Sequence, residues 1–150
     1  MLDNANARRS AARFIDPVAR LMLRLQVTPD GITWFGCGAT IFISVVFLAQ
    51  GNFLIGAILF GAFGLIDLLD GTMARMLGTA GPWGAFLDST LDRISDAAVI
   101  CALIYFYVNA DSSNSQLAVI AGIVSLVMSL MTSYARAKAE SLDAKCTVGI

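Results

Sequence analysis

Four apolar stretches of membrane-crossing length dominate this chain and restrict its folding before any motif is read. They run from about Ile32 to Ala49, Phe53 to Leu69, Ala85 to Val108 and Gln116 to Ala139. Each is close to the roughly 20 residues an α-helix needs to cross a hydrocarbon core. Composition agrees with that reading. The chain is 57% hydrophobic and only 14% charged, with a mean hydropathy of +0.75. Soluble domains average roughly 45–50% apolar and about 25% charged residues. The expected fold class is therefore all-α, an integral membrane helix bundle forming one domain over residues 1–150.

The breaks between the stretches are short. Gln50-Gly51-Asn52 reads as a tight turn, Gly78 to Gly84 as a loop with three glycines and Pro82, and Asn109 to Ser115 as a small, polar connection. Upstream, about residues 10–26 form an expected amphipathic helix in which Phe14, Val18, Leu21 and Leu25 share one face and arginines interrupt every apolar run. That pattern suits a helix lying on a membrane surface with its arginines near lipid phosphates. A basic helix packed on the protein itself would look the same. Five Arg precede the first stretch, Arg75 lies after the second, and Arg136, Lys138 and Lys145 follow the fourth, whereas the other two connections carry none. The positive-inside rule then puts the N-terminus, the 78–84 loop and the C-terminal tail in the cytoplasm.

Several chemistries are excluded. The chain has no His, so imidazole catalysis and His-ligated zinc are out, and a net charge of −1 gives no pull toward nucleic acid. Cys37, Cys101 and Cys146 are far apart and fit core thiols better than a metal or redox site.

The acids are placed unusually. Asp67 and Asp70 close the second apolar stretch, and Asp88 and Asp92 open the third. Spacings of three and four residues put each pair on one helix face. A short loop between the stretches is expected to make them antiparallel neighbours, so that the pairs face each other at the cytoplasmic membrane edge. Intramembrane acids are costly and are functional by default. Four together need neutralising, and all-oxygen ligands favour Mg²⁺ or Mn²⁺, with enough carboxylates for two ions. Two metals are the usual means of stabilising both entering and leaving oxygens at phosphorus. Ala57, Gly61, Gly64 and Gly71 form a stripe of small residues expected to let a neighbouring helix approach closely.

At this point the chain resembles a known family. Asp67-Leu-Leu-Asp70-Gly71-Thr-Met-Ala74-Arg75, followed by Gly84, Asp88 and Asp92, matches the CDP-alcohol phosphotransferase signature D-x2-D-G-x2-A-R-x8-G-x3-D-x3-D at every fixed position. The resemblance implies an enzyme that joins a CDP-activated lipid to an alcohol and releases CMP, usually as a homodimer in the cell membrane. It implies metal ligation by Asp67, Asp70, Asp88 and Asp92, with Asp92 also the base on the acceptor hydroxyl. Gly71, Ala74, Arg75 and Gly84 would border the CDP-lipid, as would Asp30 and Thr33 in the segment Thr28-Pro29-Asp30-Gly31-Ile32-Thr33. A plain helix-capping turn is the alternative for that segment. The family has six membrane helices, so two beyond the four visible here are expected.

The stretches Val27-Thr-Pro-Asp30, Leu91-Asp92-Arg93-Ile94-Ser95-Asp96 and Ser133-Tyr-Ala-Arg136-Ala-Lys138 most resemble actinobacterial phosphatidylinositol-phosphate synthases. That implies CDP-diacylglycerol as donor and a myo-inositol phosphate, a phosphorylated polyol, as acceptor. Ser125, Ser129, Ser133 and Arg136 recur at helical spacing, with Lys138 close by. Ser133, Arg136 and Lys138 are the candidates for the acceptor phosphate; a membrane-edge anchor is the alternative. Two other functions fit less well: a sister enzyme such as a phosphatidylglycerophosphate synthase, and a cation transporter, whose acids would sit near the midplane.

Overall fold

The computed structural model describes residues 16–64, 67–79, 81–110 and 115–142, without the side chains of Asp67, Leu68 and Asp70. Among the described residues the chain is all-helical. Helix α1 occupies 16–24. Then follow α2 (Pro29–Ile43), continued by a π-helical stretch (Ser44–Leu48), α3 (Phe53–Gly64), α4 (Asp67–Leu77), α5 (Pro82–Val108) and α6 (Ser115–Ser141). By length and composition, Pro29–Leu48 and Ser115–Ser141 can each cross a membrane. Helix α3 is apolar over its 12 described residues, and α5 is long but charged in its first half. Phe14 and Cys146 lie outside the described residues; Cys37 and Cys101 are free thiols.

Helix α2 is the spine. On one side Ile32 packs with Ala19 of α1 and with Leu69 and Met73 of α4. On the other, Cys37 packs with Leu87 and Leu91 of α5. Thr28 caps the helix by accepting a hydrogen bond from the Gly31 amide at 3.2 Å, and Pro29 fills the first turn, where its missing N–H costs nothing. Few large side chains are buried, and Trp34, Phe35, Phe42, Leu54 and Ile58 are all exposed. Helix α6 has no buried residue. An exterior this apolar suits a hydrocarbon solvent rather than water.

Four expectations need correcting. First, Asp67 and Asp70 do not end the helical run: α4, which carries them, continues to Leu77. Leu69 and Met73 anchor it to α1 and α2. Gly78, at φ +68, then ends it, with Thr79 N–H bonded to Ala74 O and Gly78 N–H to Arg75 O, the paired bonds of a Schellman stop. Second, α5 starts at Pro82 rather than Ala85, because proline is preorganised for a first turn. Third, α1 ends at residue 24 rather than about 26; its exposed Val18 and Leu21 suit a helix lying on a membrane surface, while Ala19, Met22 and Leu23 pack against the protein. The chain leaves α1 through Gln26 at φ +60. Fourth, at Gly61, Gly64 and Gly71 an added Cβ would meet nothing within 4 Å, so these glycines border space instead of a close neighbour. Tight approaches occur instead at Gly51, against Phe106, at Gly56, against Leu48, and at Gly122, against Ile104.

Candidate active site

A cavity of about 150 Å³ lies where α2, α3 and α5 meet. Thr33, Gly36, Cys37 and Thr40 line it from α2, and Leu91, Asp92 and Ser95 from α5. Their spacing of three or four residues keeps each set on one helix face. Phe60, Phe63 and Gly64 supply the α3 wall. Gly64 is three residues before Asp67, so at most about 11 Å of chain separates the cavity wall from the first acidic position of α4. The cavity therefore touches Asp92 on one side and comes close to the backbone of the other acidic pair.

The two carboxylate-bearing helices do not pack on each other. Both lean on α2, and no Cα of α4 comes within 8 Å of one in α5 among the described residues. This corrects the expectation of direct neighbours. Held apart by α2, the two helices leave room between the acidic positions for counter-ions or substrate. Asp88 and Asp92 are both exposed, one turn apart on α5. Among the described residues, which omit the Asp67 and Asp70 side chains, no three acidic or thiol groups cluster closely enough to hold a metal. The donor set itself, aspartate oxygens without imidazole, suits Mg²⁺ or Mn²⁺.

The remaining candidates fall into three groups. Asp30 accepts a hydrogen bond from Trp83 Nε1 at 3.2 Å, which ties the start of α2 to the start of α5. Thr33 donates to the Pro29 carbonyl at 3.2 Å and lines the cavity one turn further along α2. Gly71 and Gly84 have open space where a side chain would be, Ala74 is half-buried, and exposed Arg75 donates to Thr72 at 3.1 Å. On α6, Ser133 is half-buried and Lys138 exposed. Arg136 is exposed and pairs with Glu140 at 3.0 Å. None of these α6 residues lines the cavity. Sequence reasoning missed Gly36, Cys37, Thr40 and Ser95. The available signal was a small and polar face on α2 in phase with Thr33.

Comparison with known proteins completes the assignment. A phosphatidylinositol phosphate synthase of Cutibacterium acnes is 42% identical over 139 residues, 93% of this chain and 66% of that protein. One from Corynebacterium glutamicum is 37% identical over 136 residues, 91% and 62% respectively. Two crystal structures of the Mycobacterium tuberculosis phosphatidylinositol phosphate synthase are also similar. The one with manganese and citrate has a TM-score of 0.82 at 38% identity, covering 89% of this chain and 63% of that one. The one with CDP-DAG bound has a TM-score of 0.85 at 38% identity, covering 93% and 69%. The chain spans 56–66% of the length of the first three curated relatives it matches. The CDP-alcohol phosphatidyltransferase family pattern matches residues 26–148. With the signature from Asp67 to Asp92, whose last aspartate lines the cavity between α2, α3 and α5, this chain belongs to the CDP-alcohol phosphatidyltransferase family.

Proposed function

We propose that the protein transfers the phosphatidyl group of CDP-diacylglycerol to a hydroxyl of a myo-inositol phosphate, forming phosphatidylinositol phosphate and CMP. The observation that carries this reading is the acidic motif, with Asp92 on the cavity wall, in a chain up to 42% identical to phosphatidylinositol phosphate synthases. Asp67, Asp70, Asp88 and Asp92 would hold Mg²⁺ or Mn²⁺, two ions in all. Bound there, the ions neutralise phosphate charge and stabilise the leaving oxygen. Asp92 accepts the proton of the acceptor hydroxyl. That oxygen forms a bond to the β-phosphorus as the bond to CMP breaks, and CMP leaves with the electron pair. Arg75 binds a phosphate oxygen as a charge-assisted donor. Gly71 and Gly84 leave the backbone open to the nucleotide, with Ala74, Asp30 and Thr33 alongside. Ser133, Arg136 and Lys138 bind the acceptor phosphate. Release of Arg136 from Glu140 is cheap, because an exposed pair of this kind contributes about 0.3–0.5 kcal/mol. The protein works as a homodimer in the plasma membrane with the site facing the cytoplasm.

The test is CMP release from CDP-diacylglycerol by the full-length protein with inositol phosphate, free inositol or glycerol 3-phosphate. Inositol phosphate should be the best acceptor, with activity lost in EDTA and restored by excess Mg²⁺ or Mn²⁺. A better rate with glycerol 3-phosphate would reassign the acceptor. Release undiminished by EDTA would exclude the metal site.

A further inference from the structure

Among the described residues of helices α2 to α6, α6 packs against α5 alone. Within this part of the fold, that contact sets where α6 lies relative to Asp92. Two points define the register. At one, Gly122 lies so close to Ile104 that a Cβ would come within 2.7 Å of its Cγ1. At the other, Arg93 reaches across from the residue next to Asp92, and its Nη1 donates to Ser129 Oγ at 3.4 Å. The same nitrogen pairs with Asp96 Oδ2 at 3.0 Å, one turn along α5.

The bond to Ser129 is long, and on its own would hold little. Asp96 changes that by fixing the guanidinium on α5, so that α6 meets a donor already in place. The planar fork of an arginine suits this double duty better than the point charge of a lysine. Ser129 is one turn from Ser133 on α6, so a register set at Ser129 is a register set at Ser133.

We propose that Arg93 is a positioning residue, clamping α6 onto the Asp92-bearing turn of α5 and so fixing the acceptor-binding face of α6 relative to the base. This rests on the transfer reaction proposed above and adds to it the coupling of the two substrate sides.

Two measurements on the full-length protein test it. In steady-state kinetics, Arg93→Ala should raise the KM for inositol phosphate at least tenfold while the KM for CDP-diacylglycerol stays within twofold. Arg93→Lys should recover part of that loss, and Ser129→Ala should reproduce part of it. In parallel, spin labels at Ile94 and Leu130 should give a narrow distance distribution that broadens or shifts in Arg93→Ala. An unchanged distribution overturns the clamp, as does a fall in kcat with both KM values unmoved. If no phosphorylated polyol is a substrate at all, the transfer reading and the acceptor role fall together, and the labels still decide separately whether Arg93 sets the helix register.

Discussion

Substituting Gly122 by valine should destabilise the protein through one identifiable collision. An added Cβ would sit 2.7 Å from Ile104 Cγ1 and 3.3 Å from its Cδ1. Carbon atoms rest at about 3.5–4.0 Å, so α6 must move out by about an ångström, and the valine methyls add to the demand. Overpacking of this kind costs about 1–3 kcal/mol. Against it stands a helix-propensity gain of roughly 0.3–0.5 kcal/mol on leaving glycine. The net loss of about 0.5–2.7 kcal/mol should lower Tm by about 1–11 °C for a chain of this size. Thermal unfolding in detergent micelles reads this directly. Gly38→Val is the internal control, because a Cβ at Gly38 meets nothing within 4 Å. Ile104→Ala in the Gly122→Val background should restore part of the loss. Equal Tm losses at Gly38 and Gly122, or no relief from Ile104→Ala, would refute the reasoning.

Asp92→Asn should cut kcat by about 10²–10⁴-fold, the usual contribution of a general base, while CDP-diacylglycerol KM moves less than threefold; equal losses in both parameters would make Asp92 a binding residue instead. Gln26→Gly should raise Tm by about 1–4 °C, since a non-glycine residue in the left-handed region costs roughly 1–2 kcal/mol and glycine returns some of that as chain entropy. An unchanged Tm would mean that Gln26 is not strained. In a cysteine-free background, a thiol at Thr79 should react with an impermeant reagent only after the membrane is opened, and one at Ser113 in intact cells. The reverse pattern would invert the topology.

How much could be read in advance depended on what each residue answers to. The apolar stretches around α2, α5 and α6 were legible because their length is set by the bilayer and their apolarity is continuous. The Gln50–Asn52 turn was legible as well, and it matters beyond the turn itself: at Gly51, φ +80, a side chain would collide with Phe106 of α5. The helical continuation to Leu77 was not legible, since Asp67–Leu77 mixes acids, Arg75 and buried Leu69 and Met73, and an apolar window stops where such mixing begins. The small residues misled because a glycine has the same sequence signature beside a tight neighbour as beside an open space. Gly122 is the first kind and Gly71 the second. The acidic motif was legible through its spacing. The cavity wall of Gly36, Cys37, Thr40 and Ser95 required the packing of three helices, which no single segment encodes.

The π-helical stretch at Ser44–Leu48 has a consequence for how relatives of this chain align. Its wider turn accommodates a residue beyond what an α-helix holds over the same length, with Ala49 N–H bonded to Ser44 O across five residues. Ser44 is fully buried and returns its hydroxyl to the Thr40 carbonyl at 2.7 Å, and Leu48 lies over Gly56 on the far side of the turn. Removing one residue from this stretch would let α2 continue as an ordinary helix while the segments on either side keep their facing, because the wider turn already absorbs the extra residue. A deletion elsewhere in α2 would instead turn everything after it by about 100° and carry Leu48 off Gly56. A one-residue gap in a homologue should therefore fall within 44–48 and leave the Gln50–Asn52 turn as it is.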